Sequence, residues 1–276
     1  LSDEVHENGD GEVRLEPKEW TGWGIISNVD DVASDNRVAI ELKSDIPSML
    51  PTKNWRLGAW SDTTGYPKVG TFYQGRLWLA STDVQPQTLW SSESNTNTLF
   101  SPSTLEDSIV LDTSAITATL ASRQVNAVTN IIGDSTGLIV LTENTEWLGR
   151  ATNNKPITPS DLSFQSQSAY TTLKGVQPIL AGTRYLVFQG EGAVLREFVF
   201  DLAQDRFVAK NISILSEHMS QTGAKDMELQ QGRSTRVWVV LDNGSLISMI
   251  YEQEQDIVGW ENHTLGQSGG TDPTVV

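Results

Sequence analysis

The chain has 276 residues, 38% of them apolar and 20% charged, with 35 acidic side chains against 19 basic ones and a net charge of −16. The absence of cysteine excludes disulfides and thiolate-based metal sites. Gripping nucleic acid requires an excess of Lys and Arg to displace counterions, and the balance here is the opposite. No apolar run approaches the roughly 20 residues of a membrane-spanning helix, so no membrane insertion is expected.

Residues 1–19 are nearly all polar and read as a flexible acidic arm or an exposed edge element. They show no signal-peptide pattern. A first residue of Leu rather than Met reads as a mature product or a piece cut from something longer. Residues 1–50 hold twelve of the 35 acidic residues and four of the nineteen basic ones. Residues 20–60 read as a small β element with four tryptophans, Trp20, Trp23, Trp55 and Trp60. In it GIISNVD and NRVAIELKS alternate with period two around a turn-like stretch, which predicts a hairpin. IPSMLPTKN is a proline-punctuated link.

From residue 61 a coarse repeat begins. RLWLAST (76–82) and QTLWSSE (87–93) form the first copy. QVNAVTNII (124–132), GLIVLTE (137–143) and TEWLGRA (145–151) form the second. GVQPILA (175–181), RYLVFQG (184–190), AVLREFVF (193–200) and RFVAKNIS (206–213) form the third. AKDMELQQ (224–231), RVWVV, SLISMIY and IVGW form the fourth. Fourth strands stand out only in the last two copies. The very apolar middle strands recur at intervals of roughly 50 residues, a spacing typical of propeller blades. LIVL, YLVF and VWVV read as inner strands covered on both faces. The fold class expected is therefore all-β, a β-propeller-like array of about four antiparallel four-stranded blades over residues 61–266, with a β-sandwich as the alternative. Residues 213–222 have room for one or two helical turns, and residues 267–276 form a polar tail. Trp55, Trp60, Trp78, Trp147, Trp238 and Trp260 are the expected structural core, and Asn243-Gly244 is an expected hairpin turn.

Little in the sequence points to catalysis. His6, His218 and His263 lie in unrelated segments, and there is no nucleophile elbow, Walker loop, H-E-x-x-H or EF-hand spacing. Gly22-Trp23-Gly24 and Gly190-Glu191-Gly192 read as turn or strand glycines. Two acidic clusters are weak candidates for a hard cation, Asn8/Asp10/Glu12 and Asp30/Asp31/Asp35. STDVQPQTLW (81–90) resembles the Asp-box turn of sialidase-like propellers at Ser81, Thr82 and Asp83, but has Gln85 and Gln87 where Gly and Thr belong. A carbohydrate-binding or glycan-cleaving propeller is thus the alternative function. The sequons at Asn211, Asn243 and Asn262 occur in a chain rich in Ser and Thr and carry little weight. No cofactor is expected.

A distributed set of segments carries a stronger likeness. Trp55–Trp60 (WRLGAW), Gly65–Pro67 (GYP), Phe72–Leu77 (FYQGRL) and Pro86–Trp90 (PQTLW) resemble the tail nozzle proteins of short-tailed bacteriophages, also called tail tubular B-type or stabilisation proteins. So do LASRQVNAVTNII (120–132), TENTEWLG (142–149), residues 167–201 and IVGWENHTLG (257–266). Members of that family are usually longer. The resemblance implies a non-enzymatic virion protein in a ring, usually hexameric, at the end of the tail. There it would continue the DNA-ejection channel and contact other copies, an upstream adaptor and fibres or spikes. DNA would pass without specific binding, and an acidic wall, formed in part by residues 1–45, would repel it.

Overall fold

The computed structural model describes residues 4–7, 13–16, 24–29, 38–42, 59–104, 109–201, 203–204 and 206–264. Four antiparallel four-stranded meanders account for most of them. Blade 1 is β5 (Val69–Tyr73), β6 (Arg76–Ala80), β7 (Thr88–Ser91) and β8 (Ile116–Thr119). Blade 2 is β9 (Val128–Asp134), β10 (Gly137–Thr142), β11 (Glu146–Arg150) and β12 (Ser163–Ser168). Blade 3 is β13 (Ile179–Ala181), β14 (Arg184–Gln189), β15 (Val194–Asp201) and β16 (Arg206–Asn211). Blade 4 is β17 (Ala224–Gln230), β18 (Arg236–Leu241), β19 (Leu246–Glu252) and β20 (Ile257–His263). The fold is all-β and propeller-like, as expected, and the sandwich alternative is not adopted. The predicted hairpin in residues 20–60 is present as β3 (Gly24–Val29) paired with β4 (Val38–Leu42). The range read as an acidic arm or an exposed edge element contains β1 (Glu4–Glu7) paired with β2 (Val13–Glu16). The polar tail of 267–276 lies outside the described residues.

Residues paired directly across a ladder point to the same face, so the register assigns every side chain to one side of its blade. Each blade has a trailing face turned toward the next blade and a leading face turned toward the one before. Trp78, Ala80 and Leu89 on the trailing face of blade 1 pack against Leu138, Val140 and Trp147 of blade 2. Ile139, Leu141 and Leu148 of blade 2 pack against Tyr185, Val187 and Phe198 of blade 3. Leu186, Phe188 and Leu195 of blade 3 pack against Val237, Val239 and Met249 of blade 4. These three clusters make three joints for four blades. Among the described residues no such cluster joins blade 4 back to blade 1.

That open arrangement explains which strands are buried throughout. All six residues of β10 are buried, and so are the four central residues of β14, because both blades are covered on two sides. β18 instead alternates, with Val237, Val239 and Leu241 buried and Arg236, Trp238 and Val240 half-buried. VWVV is therefore not covered on both faces, and Trp238 is corrected from the core to the open face of blade 4. Its indole N–H donates to Gln230 Oε1 at 2.7 Å. Trp78 is fully buried and Trp147 nearly so. Trp260 packs at the margin of the blade 3–4 joint. Trp60 meets Trp90 and Phe100 edge-on at 5.8 and 4.8 Å on the leading face of blade 1. Trp55 lies outside the described residues.

Every blade has its fourth strand, including β8 and β12, and blade 1 has a first strand, β5. β12 reads SFQSQS and buries no residue fully; β8 is four residues with one buried. An outer strand has one neighbour and sheds the apolar pattern that reveals an inner one. In residues 213–222 there is only a single 3-10 turn, Glu217–Met219. β9 begins at Val128, and β13 has only three residues.

Two glycines are set by geometry. Gly133 of β9 lies against β5, where a Cβ would stand 2.8 Å from the Tyr73 ring and 3.0 Å from the Phe72 carbonyl oxygen. Gly244 closes the β18–β19 turn at φ +82°, with its N–H donating to the Leu241 carbonyl at 2.9 Å. Asn243 is not in the left-handed region, and its side chain accepts from the Ser245 N–H at 3.0 Å. Only the second residue of this Asn-Gly pair needs positive φ.

Trp78→Ala is expected to cost about 3–5 kcal/mol, the range for deleting a buried aromatic ring. Trp238→Ala should cost clearly less, since one side of that ring faces away from the core. Chemical denaturation of the two variants checks the order. Equal losses would mean that blade 4 is covered on both faces.

Candidate interaction surfaces

The first strands of the blades bound a groove of about 360 Å³ lined by Lys68, Thr71, Asn130, Gln177 and Tyr185 among others. Two of its polar groups, Asn130 and Tyr185, hold blades together. Asn130 Nδ2 donates to the Val176 carbonyl at 3.2 Å, and Tyr185 O–H donates to Asp134 Oδ1 at 3.0 Å. Lys68 Nζ pairs with Asp83 at 2.5 Å. Asp83 thus anchors the loop between β6 and β7, where Thr82 Oγ1 accepts from the Gln85 N–H at 3.0 Å. Hydrogen bonds from Thr136 and Tyr185 outweigh burial and hold the Asp134 carboxyl below its usual range. Burial and the Asp134 charge push the Tyr185 hydroxyl up. These shifts lock each group in one protonation state at neutral pH, which suits a strut rather than a proton-transfer pair.

One arrangement on the open face of blade 4 has the composition of a nucleophilic triad. Ser248 Oγ lies 2.7 Å from His263 Nε2, and Glu261 stands 3.8 Å from the same nitrogen. A triad needs the carboxylate on the other ring nitrogen, where it can orient the imidazole as a base. Ser248 is fully buried and also receives an N–H from Arg236 at 2.9 Å. Arg236 bonds Glu261 at 2.9 Å and lies 5.6 Å over the Trp238 ring, while His263 meets the same ring at 4.7 Å. The group is a polar knot that braces Trp238. No three His, Asp or Glu among the described residues converge as a metal site would require. Asp30, Asp31 and Asp35, like Asn8, Asp10 and Glu12, lie outside the described residues. His218 sits in the 3-10 turn, apart from the knot. Gly190 and Gly192 have positive φ in the β14–β15 turn, matching their reading as turn glycines.

Each of the two later joints contains one buried glutamate on the third strand of the earlier blade, a feature that hydropathy patterning does not reveal. Glu197 of β15 accepts from Arg184 and, at 2.8 Å, from the Tyr251 hydroxyl of blade 4. Glu146 of β11 accepts from Ser168, while its other oxygen, Oε1, has no partner. Arg196 approaches from blade 3, where its guanidinium lies 4.2 Å over the Tyr170 ring. Burial outweighs these contacts and pushes the Glu146 carboxyl up to about 7. In blade 1 the buried Arg76 donates to the carbonyls of Ser92, Asp112 and Ser114 at 2.9, 2.7 and 2.7 Å, pinning the long loop between β7 and β8.

No protein-family model matches the sequence, and no curated sequence matches it. Among the solved structures with some likeness to it are two. The WD40 domain of Neurospora crassa Pan2 shares 12% identity with a TM-score of 0.39, over 71% of this chain and 50% of that one. This chain therefore spans half the length of that domain. A Bacteroides fragilis NCTC 9343 protein described as exported shares 8% identity with a TM-score of 0.25, over 77% and 74%. Neither likeness carries an argument about ligands, partners or activity. No helix among the described residues is long and apolar enough to cross a membrane.

Glu146 generates a pH prediction. Its folded-state value is raised from 4.5 to about 7, so the folded protein holds a proton that the unfolded chain releases above pH 4.5. Its contribution to stability is complete below about pH 4.5 and is lost as the pH rises toward 7. Glu146→Gln should flatten the fall in stability across that window. Denaturation midpoints of both proteins at several pH values check this; parallel curves would show that Glu146 titrates alike in the folded and unfolded chains.

Proposed function

We propose that the chain is a structural wall element of a short phage tail, a component of the virion that forms part of the nozzle ring around the DNA-ejection channel. The observation that carries this reading is the stack itself: apolar joints braced by buried polar groups, with no poised acid–base pair among the described residues. The distributed likeness of most of residues 20–266 to nozzle proteins supplies the context. On this reading the protein performs no catalysis. Its partners are other copies in a ring, hexameric by resemblance, an upstream adaptor, and fibres or spikes. Like-charge repulsion from a net charge of −16 keeps the duplex from adhering to the wall.

A second reading, a glycan-binding propeller, is favoured by one feature. Trp238 is half-buried, presents its ring on an open face and has Arg236 and Glu261 at its margin. A stacking sugar would change the fluorescence of that indole, whereas a wall element leaves it unchanged.

Antibody labelling of the parent particles followed by image reconstruction tests the tail reading. The expected result is density for this chain at the distal end of the tail, around a lumen without a Lys/Arg lining. Absence of the chain from particles would overturn it. Titration with host-surface oligosaccharides at millimolar concentration should leave tryptophan emission unchanged; saturable quenching lost in Trp238→Ala would favour the glycan reading.

A further inference from the structure

The three joints differ in how their buried carboxyl groups are partnered. Glu146 and Glu197 are the buried acidic residues among those described, and the blade 1–2 joint holds neither. In the blade 3–4 joint Glu197 has both oxygens engaged, one by Arg184 and the other by the Tyr251 hydroxyl. In the blade 2–3 joint Glu146 is 1% exposed. It stands opposite Leu141 in the β10–β11 ladder and so shares the face turned to blade 3. The Ser168 hydroxyl and the Tyr170 N–H donate to this carboxyl, yet Oε1 has no hydrogen-bond partner.

The surroundings give an ionised Glu146 little help. β10 and β16 turn Ile139, Leu141, Phe207 and Ala209 into the joint. The titratable groups facing it are Tyr170 in the β12–β13 link, Tyr185 of β14 with its partner Asp134 of β9, and Arg196 of β15. Arg196 is the cation among them, and it is committed elsewhere. Its Nε donates to Gln189 Oε1 at 2.5 Å, its Nη1 donates to the Ala209 carbonyl at 3.1 Å, and its plane covers the Tyr170 ring. A neutral carboxylic acid fits this setting, and burial already pushes the group up to about 7. A carboxylate with one bare oxygen does not fit, because a buried charge has to be paired or hydrated. To pair with it, Arg196 would have to give up two hydrogen bonds and its stacking. Water needs only that the packed faces part.

We infer that the blade 2–3 joint is a pH-sensitive seam, closed while Glu146 is protonated and loosened once it ionises. The first two blades then move against the last two, while the other joints stay shut. Proton linkage fixes the sign and the steepness. The closed joint holds the carboxyl at about 7 and an opened one returns it to 4.5, so the open population rises about tenfold per pH unit between those values and levels off above them. A global loss of stability with pH would spread over the whole chain, whereas this loss is confined to one seam. Nothing in this behaviour depends on the tail reading.

A backbone amide crosses each joint and reports on it. Ile157 N–H donates to Gln74 across the blade 1–2 joint at 2.8 Å, Phe207 N–H to Gln167 across the blade 2–3 joint at 3.2 Å, and Ala224 N–H to the Gly192 carbonyl across the blade 3–4 joint at 3.0 Å. Hydrogen exchange of the full chain, resolved by residue and corrected for the intrinsic rise with pH, is the test. Between about pH 4.5 and 7, exchange at Phe207 should accelerate about tenfold per pH unit, with Ile157 and Ala224 unchanged. In Glu146→Gln, which has no proton to lose, the acceleration at Phe207 should vanish. The comparison among the three amides is made within the parent protein, so it stands even if the variant fails to fold. Equal acceleration at all three would mean that ionisation loosens the whole fold. No acceleration at Phe207 would mean that the carboxylate is accommodated in a closed joint. Either result overturns the proposal, and the first would leave the global pH prediction for Glu146 standing.

Discussion

An antiparallel sheet with apolar side chains on both faces has to be covered twice, and that requirement governs this molecule. A four-stranded sheet isolated in water would expose one or both of those faces, and burying them is what stabilises it. Stacking like sheets meets the need locally: each blade becomes solvent-excluding cover for the next. The burial pattern follows position in the stack more than local sequence. β10 and β14 have neighbours on both sides and are buried nearly continuously, whereas β18, no less apolar, alternates because nothing described lies beyond it.

Apolar packing alone leaves blades free to slide, since one aliphatic surface resembles another. The buried polar groups restrict that freedom. Glu197 has its hydrogen-bond partners only when Tyr251 of blade 4 and Arg184 of its own blade stand in one arrangement. Tyr185 and Asp134 set blades 2 and 3 in the same way, and Gln74 accepts from the Ile157 N–H at 2.8 Å between blades 1 and 2. A misplaced blade would leave one of these groups dry and unpaired, at a cost of about 1–3 kcal/mol or more for a charged group. Such contacts add little net stability, because desolvation offsets most of the attraction. Their effect is to make one stacking geometry better than its neighbours, and Glu146, with one oxygen unpartnered, shows that the compromise is not complete.

The inner strands were legible in the sequence because burial on two sides leaves long apolar runs, and the blade period emerged from their spacing. The Gly244 turn was legible for a local reason, as was the hairpin of β3 and β4. The outer strands of blades 1 and 2 were not: SFQSQS looks like a loop until a ladder to β11 is in view. Trp238 reads as core because its identity and neighbours match those of a core tryptophan, and only the lack of a covering blade among the described residues distinguishes them. The buried glutamates were hidden for a related reason. A carboxylate in an amphipathic strand reads as solvent-facing, and its true environment depends on a blade about 50 residues away in Glu197 and Tyr251. The polar knot of blade 4 joins residues 236, 248, 261 and 263, which no motif scan would group.

Charge is distributed in a way that separates scaffolding from any repulsive role. Residues 1–58 hold 12 acidic and 6 basic side chains, while residues 59–264 hold 22 and 13, so the acidic excess per residue is about twice as dense before the blades as within them. Screening confines exposed charges to a range of about 8 Å at physiological ionic strength. On the proposed tail reading, only charges close to the passing duplex can keep it off the wall. The groove at the first strands contributes little of that, because its lysine is neutralised by Asp83 and its remaining lining is amide, hydroxyl and aliphatic. A surface without net charge neither grips phosphate strongly nor repels it. Active repulsion would therefore have to come from the acidic residues that precede the blades, and the blades themselves would supply stiffness.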